Sequence, residues 1–92
     1  MIKKQAAKDG TTKVTFSLSL NQAPDPTSVV GDFNDWNPLE TPLKKRSNGT
    51  RSASIVVPSN QTLRFKYLTD GGHWSTDNEC GIDETGDNIF SA

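Results

Sequence analysis

Apolar and polar residues alternate along much of this 92-residue chain, the pattern of a β-strand that buries one face. The clearest case begins after Thr12, where apolar residues take every second position: Val14, Phe16, Leu18 and Leu20. The same reasoning predicts further strands over 28–33, 51–57 and 62–69, with shorter candidates at 41–46, 73–75 and 88–90. No window shows the spacing of an amphipathic helix.

Turn-forming residues separate these segments. Two prolines break the chain within 21–26, and Asn48-Gly49 and Gly71-Gly72 supply the positive φ that tight turns need. Residues 76–86 have no period and are predicted to form a long loop. About six to eight short strands joined this way predict an all-β protein, an immunoglobulin-like antiparallel β-sandwich. We interpret residues 1–11 as a flexible lead-in and 12–92 as a single domain.

Charge and composition exclude several classes of partner. Ten Lys and Arg residues against eleven Asp and Glu leave a formal net charge of −1, without the basic excess of a nucleic-acid-binding domain. One cysteine and one histidine do not suffice for a structural zinc site, and no stretch is apolar enough for a membrane span. We therefore expect no metal, no cofactor, no nucleic acid and no membrane, in a cytoplasmic protein.

The candidate catalytic groups do not form a recognisable constellation. His73, the single histidine, adjoins a glycine turn and has no cysteine or serine motif near it. The carboxylates are concentrated in predicted turns, where aspartate commonly binds backbone groups. The sequence thus predicts a protein that is not an enzyme.

The two tryptophans are the most informative residues. Trp36 falls in a turn of Asn, Asp and Pro residues, and Trp74 directly follows a glycine turn. An exposed indole offers a flat apolar surface that suits the C–H face of a sugar ring. On spacing alone, two buried core tryptophans are equally compatible with this pattern.

Four ordered motifs connect these residues to a known family. They are Gly31-Asp32-Phe33-Asn34-Asp35-Trp36, then Phe65-Lys66-Tyr67, then Asp70-Gly71-Gly72-His73-Trp74, and finally Asp87-Asn88-Ile89. In this order they resemble the family 48 carbohydrate-binding modules, over about residues 12–91. That family comprises the early-set immunoglobulin-like domains of isoamylases and glycogen branching enzymes, and the glycogen-binding module of the AMP-activated protein kinase beta subunit.

The resemblance implies a sugar-binding surface. Trp36 and Trp74 match the two stacking tryptophans of the kinase module, and Lys66 matches the lysine that bonds to glucose hydroxyls. The C-terminal asparagine of the family falls on Asp87, with Asn88 one position later. A carboxylate at 87 can accept a hydrogen bond from a hydroxyl but cannot donate one.

Other residues of the motifs are interpreted as structural. Phe33 and Tyr67 face the core by period. Gly31 marks a close backbone approach or a bulge. Asn34 and Asp35 are expected to fix their turn through hydrogen bonds to the backbone.

Two functions follow as hypotheses. The first is a non-catalytic α-glucan-binding module whose partner is an α-1,4/1,6-glucan or a maltooligosaccharide. The alternative is an early-set domain for protein interaction or scaffolding, which docks to a glycan-active enzyme or another protein without binding sugar. Exposure of the two indoles discriminates between them, because a sugar-binding surface needs both on one open face.

Overall fold

Nine short strands make up most of the chain in the computed structural model, which describes residues 2–19, 27–69, 72–77 and 79–92. In chain order they are β1 (Ile2–Ala6), β2 (Thr11–Ser19), β3 (Thr27–Gly31), β4 (Lys44–Lys45), β5 (Thr50–Pro58), β6 (Thr62–Thr69), β7 (His73–Ser75), β8 (Gly81–Ile82) and β9 (Asn88–Ser91). The described residues form no α-helix, only a 3₁₀ turn at Asp32–Asn34. The predicted all-β class is confirmed, with nine strands rather than six to eight.

The strands form two antiparallel sheets that share one core. The first sheet has the order β1–β2–β5–β4, and the second has the order β3–β6–β9–β8 with β7 also paired to β6. β7 and β9 bind successive parts of one edge of β6, while β3 occupies the other edge. This confirms the predicted antiparallel β-sandwich and makes β6 the central strand of the second sheet.

The core consists of inward-facing residues that the alternation predicts. It includes Val14, Phe16, Ala53 and Val57 from the first sheet, and Val29, Leu63, Phe65 and Tyr67 from the second. The Phe65 ring packs edge-on against Phe16, with centroids 5.0 Å apart, and against Tyr67 at 5.7 Å. Tyr67 is buried in the core, as expected. Phe33 is partly buried and packs against the core from the 3₁₀ turn, where its ring stacks on Phe16.

The predicted lead-in over 1–11 is wrong for Ile2–Ala6, which forms an edge strand paired with β2. A tight turn joins the two strands. Asp9 accepts hydrogen bonds from the N–H and the hydroxyl of Thr11, and Gly10 has a φ of 83°. Asp-Gly is a hairpin signal. The strand was not predicted because Ile2 is its only partly buried residue, so its sequence shows no alternation of apolar and polar positions.

Several element boundaries also differ from the prediction. The short candidate over 41–46 forms a strand at Lys44–Lys45 alone. The strand expected over 28–33 ends at Gly31, where the 3₁₀ turn begins. The loop expected over 76–86 contains β8, which pairs with β9 through two residues. Leu20 and the predicted break over 21–26 lie outside the described residues, as does the Asp70-Gly71 part of the predicted turn.

Gly31 lies where β3 passes β6 with no room for a side chain. A Cβ atom there would overlap the carbonyl oxygen of Arg64 and would lie 2.6 Å from Cε1 of Phe33. The close backbone approach expected at Gly31 is therefore confirmed. It brings the turn that carries Trp36 directly against the central strand of the sheet.

Candidate functional site

The turn after β3 holds Trp36 in an unusual backbone conformation. Asp35 and Trp36 both lie in the left-handed region, with φ of 56° and 58°. This conformation costs an L-residue on the order of 1–3 kcal/mol and persists only where the surroundings impose it. The N–H of Trp36 donates to the carbonyl of Gly31 at 2.8 Å, which closes the turn.

Asn34 fixes the same turn with its side chain. Its Oδ1 accepts from the N–H of Gly31 at 3.0 Å, and its Nδ2 donates to the carbonyl of Val29 at 3.1 Å and to Oγ1 of Thr41 at 3.0 Å. The expected role of Asn34 is confirmed. Asp35 contributes its left-handed backbone conformation to the turn, and the side-chain hydrogen bond expected of it stays a prediction.

The outer face of the second sheet carries the other candidate residues. Lys66 lies between Phe65 and Tyr67, which are both buried, so its side chain points away from the core. Trp74 on β7 stands opposite Leu68 and shares this outer face. Trp36 and Trp74 remain 39% and 53% exposed, respectively, so neither indole is a core residue.

Trp36, Lys66, Trp74 and Asp87 line one open depression of about 440 Å³. The Lys66 Nζ lies 3.5 Å from Oδ1 of Asp87, and both side chains remain partly exposed. The depression therefore combines two flat apolar rings with a hydrogen-bond donor and an acceptor. Four of the five residues singled out from the sequence come together here, although they lie far apart along the chain.

A short turn over residues 83–87 positions Asp87. Oδ1 of Asp83 accepts from the N–H of Thr85 at 2.9 Å, from the Thr85 hydroxyl at 2.6 Å and from the N–H of Asp87 at 3.0 Å. Oδ2 of Asp83 lies 3.3 Å from Nε of Arg64 on β6. The Thr85 hydroxyl bond is the main reason that the pKa of Asp83 lies below its usual range.

Sequence reasoning missed Asp83 as a supporting residue of the site. The available signal is the order Asp83-Glu84-Thr85, in which a carboxylate can bind the backbone two residues later. Asp9 and Thr11 form the same Asp-x-Thr arrangement in the turn between β1 and β2. The turn at 83–87 differs from the turn at Asp9 in that it holds Asp87, which lies beside Lys66 in the depression.

Asn88, the fifth residue singled out, lies elsewhere. Its side chain is completely buried, and its Oδ1 accepts from the N–H of Asp77 at 2.7 Å. Its Nδ2 donates to the carbonyls of Asp77 and Gly81 at 3.0 and 3.2 Å. Because its amide is used inside the fold, Asn88 ties the 77–81 segment to β9 and does not reach the depression.

Asp77 completes this buried polar cluster. It is 3% exposed, and its Oδ2 accepts from the Tyr67 hydroxyl at 2.8 Å while its Oδ1 accepts from the N–H of Glu79 at 2.9 Å. Burial alone raises the pKa of Asp77, but these hydrogen bonds outweigh burial and hold the pKa below its usual range. Burial and the neighbouring carboxylate raise the pKa of Tyr67, so its hydroxyl stays protonated.

The described residues contain neither a metal-ligand cluster nor a membrane-spanning helix. No three His, Cys, Asp or Glu side chains of those residues are grouped so that they could hold a metal ion. Across the same ranges, no helix has the length and apolar character needed to cross a membrane.

Comparison with known proteins finds similarity to part of a glucan branching enzyme. No protein-family model matches the chain. The 1,4-alpha-glucan branching enzyme GlgB of Aquifex aeolicus (strain VF5) is 32% identical to it over 66 residues. That alignment covers 71% of this chain and 10% of the enzyme, so the chain corresponds to a small part of that protein.

Proposed function

We propose that this chain is a non-catalytic module that binds α-glucans of the glycogen, starch or maltodextrin type. The observation that carries the proposal is the depression in which two exposed tryptophans flank Lys66 and Asp87. A glucose unit has an apolar C–H face and a polar rim of hydroxyls. Flat indoles together with a nearby donor and acceptor complement both parts of it.

Each residue has a distinct role in this proposal. The indoles of Trp36 and Trp74 stack on glucose units of one chain. The Lys66 ammonium donates to a sugar hydroxyl, and the Asp87 carboxylate accepts from another. Asn88 is not part of the proposed contact set, because its amide is buried and hydrogen-bonded within the fold.

Similarity to a 1,4-alpha-glucan branching enzyme over 71% of this chain supports the proposed ligand class. Stacking of an aromatic ring contributes on the order of 1–3 kcal/mol for nucleobases, and we take the same range for each indole here. Two rings then give affinities in the high-micromolar to millimolar range once ordering costs are subtracted. The ligand is uncharged, so binding should depend little on salt concentration.

Protein docking without sugar binding is less well supported. A sugar-binding surface needs both indoles on one open face, whereas a docking domain can bury one of them in its own fold. Trp36 and Trp74 are both open and line the same depression. Catalysis of glycoside hydrolysis needs two carboxyl groups facing each other across the bond. Asp87 is the one carboxylate among the described residues that line the depression.

The proposal is tested by titrating the protein with β-cyclodextrin and maltoheptaose. We expect saturable changes in tryptophan fluorescence and in NMR shifts of residues around the depression. Trp36→Ala and Trp74→Ala should each weaken binding by about tenfold or more, because each removes one stacking surface. Both variants should keep the wild-type fold by NMR.

Val56→Ala is the matched control, since Val56 is an exposed apolar residue on the other sheet. It should leave glucan affinity unchanged. A titration that stays flat to tens of millimolar sugar would rule the proposal out. Equal weakening in Val56→Ala would show that the variants act through the fold rather than through a lost ring.

Asp83 should influence affinity without touching the sugar. Replacing it with alanine removes the hydrogen bonds that hold Thr85 and Asp87, so Asp87 and its partner Lys66 lose their fixed positions. We expect Asp83→Ala to weaken maltoheptaose binding roughly fivefold, the equivalent of one ordinary hydrogen bond. Isothermal titration at neutral pH measures the change.

Asp9→Ala serves as the control for Asp83→Ala. It removes a carboxylate from the same kind of Asp-x-Thr turn at the β1–β2 connection, where the depression has no lining residue. Glucan affinity should therefore be unchanged. Equal losses in the two variants would contradict a positioning role for Asp83.

A further inference from the structure

The outer edge of β5 is paired over only part of its length. β2 covers the other edge of this strand completely, from Thr50 to Pro58. On the outer edge, β4 pairs with Arg51 and Ser52 alone. From residue 53 onward, no strand of the described residues lies beside this edge.

The hydrogen-bonding pattern identifies the unpaired backbone groups. The Thr50 carbonyl accepts from the N–H of Arg46 on the outer side, whereas the Ser59 N–H donates to Gly10 on the β2 side. Backbone groups alternate in direction along a strand, so the even-numbered residues face outward. Ser54 and Val56 therefore each direct an N–H and a C=O to the open edge, with no partner for them in the described part of the chain.

A groove of about 870 Å³ runs along this edge. Its opposite wall is the segment 39–42, and core residues such as Phe33 and Val57 contribute to its lining. Leu39 and Val56, at its rim, are 86% and 67% exposed. Unpaired backbone groups thus lie beside exposed apolar side chains, which is the arrangement that binds an added strand.

Charge is unevenly distributed along the groove. Lys44 and Arg46 lie at the end where β4 stops, and Arg46 is bound to Ser52 through its Nε at 2.8 Å. Lys44 is exposed and forms no ion pair with any described carboxylate, although Glu40 also lines the groove. Within the described part of the chain, this end of the groove therefore offers a positive charge that no carboxylate pairs with. At the other end, Pro58 has no N–H and terminates the hydrogen-bonding edge.

We propose that this groove binds an extended segment of a partner protein, which adds as a strand along Ser54 and Val56. The open edge from Ser54 to Val57 has room for about four residues at roughly 3.4 Å each. Such a segment would alternate β-branched with polar residues, so that one set of side chains enters the groove. It would carry an acidic residue at the end next to Lys44. This surface is separate from the depression on the second sheet, and the inference is independent of sugar binding.

Hydrogen exchange in the protein alone provides the first test. The Ser54 and Val56 amides should exchange quickly, whereas the Ile55 amide, directed to β2, should be protected. This pattern should be the same at low and high protein concentration. Protection of Ser54 and Val56 in dilute protein would overturn the proposal, because another part of the chain would then cover the edge. Protection of these two amides that appears only at high protein concentration would also overturn the proposal, because a second copy of this chain would then occupy the edge.

Selection from a library of random displayed peptides provides the second test. Enriched peptides should contain alternating β-branched residues and an Asp or Glu, and their synthetic versions should protect the Ser54 and Val56 amides. Failure to enrich such peptides, or peptide-induced shifts confined to the Trp36–Trp74 depression, would overturn the proposal.

Three variants locate the binding surface. Val56→Pro removes one outward N–H, Leu39→Asp places a charge at the apolar rim, and Lys44→Glu reverses the charge at the end. Each should weaken peptide binding about tenfold. Lys3→Glu, an equal charge reversal on β1, should not weaken it. Leu39→Asp and Lys44→Glu alter exposed side chains and keep the test valid if Val56→Pro fails to fold. Unchanged peptide affinity in both Leu39→Asp and Lys44→Glu would contradict the assignment of the groove as the binding surface.

Discussion

Gly31→Ala should destabilise the protein by about 3 kcal/mol or more, because overpacking at a site that cannot relax costs this much. The added methyl would overlap the backbone oxygen of Arg64 and crowd the Phe33 ring. Backbone in a central strand cannot move aside without breaking its pairing with β3. Typical domains are stable by about 5–15 kcal/mol, so a substantial part of the stability would be lost. Urea denaturation at neutral pH measures the change.

Gly81→Ala is the matched control. A Cβ atom at Gly81 would meet no atom within 4 Å, and Gly81 does not have a positive φ. Its free energy of unfolding should stay within about 0.5 kcal/mol of the wild type. A Gly31→Ala protein as stable as Gly81→Ala would show that β3 and β6 do not approach each other as described.

Asp77→Ala should destabilise the protein by about 2–4 kcal/mol at pH 7, because buried donors left without partners cost on the order of 1–3 kcal/mol each. The Tyr67 hydroxyl and the Glu79 N–H both donate to this carboxylate. Tyr67 lies in the core and cannot turn its hydroxyl to water. Asp9→Ala, which removes an exposed carboxylate, should have a much smaller effect.

The loss caused by Asp77→Ala should depend on pH. The pKa of Asp77 is lowered in the folded protein, so the stabilisation it provides is fully present above its unfolded pKa, near 3.8. That stabilisation disappears as the pH falls through the lower folded value. The difference between wild type and variant should therefore shrink below about pH 4. Urea denaturation from pH 7 to pH 2.5 provides the measurement, and a difference independent of pH would contradict the assignment.

The sequence predicted the interior of the fold better than its periphery. Strands such as β6 bury every second residue, and the alternation fixed both their position and their inward face. β1 was missed because it is an edge strand with one half-buried apolar residue, Ile2, and its pairing depends on β2 rather than on its own pattern. Two-residue strands such as β8 carry too few residues to show a period.

For the candidate site, residue types were predictable but side-chain placement was only partly so. The outward direction of the Lys66 side chain follows from strand periodicity, because both of its neighbours are core residues. Trp36 depends on two consecutive left-handed residues, which no pattern of apolar positions reveals. Asn88 and Asp87 are neighbours in sequence, yet one is buried in a polar cluster and the other lines the depression. The register of β9 against β6 determines this difference, because it places Asn88 opposite the inward-facing Phe65.

The order of strands along the chain has a consequence for folding. β2 pairs with β5, joining Thr15 to Ser54, 39 positions apart. β3 pairs with β6, joining Thr27 to Thr69, 42 positions apart. These two pairings interleave, so no contiguous half of the chain can complete either sheet. Long loops must close before the contacts form, which makes folding slow, on the order of milliseconds to seconds. A chain emerging from the ribosome can complete neither its second sheet nor the depression around Lys66 until the last strand, β9, has been synthesised.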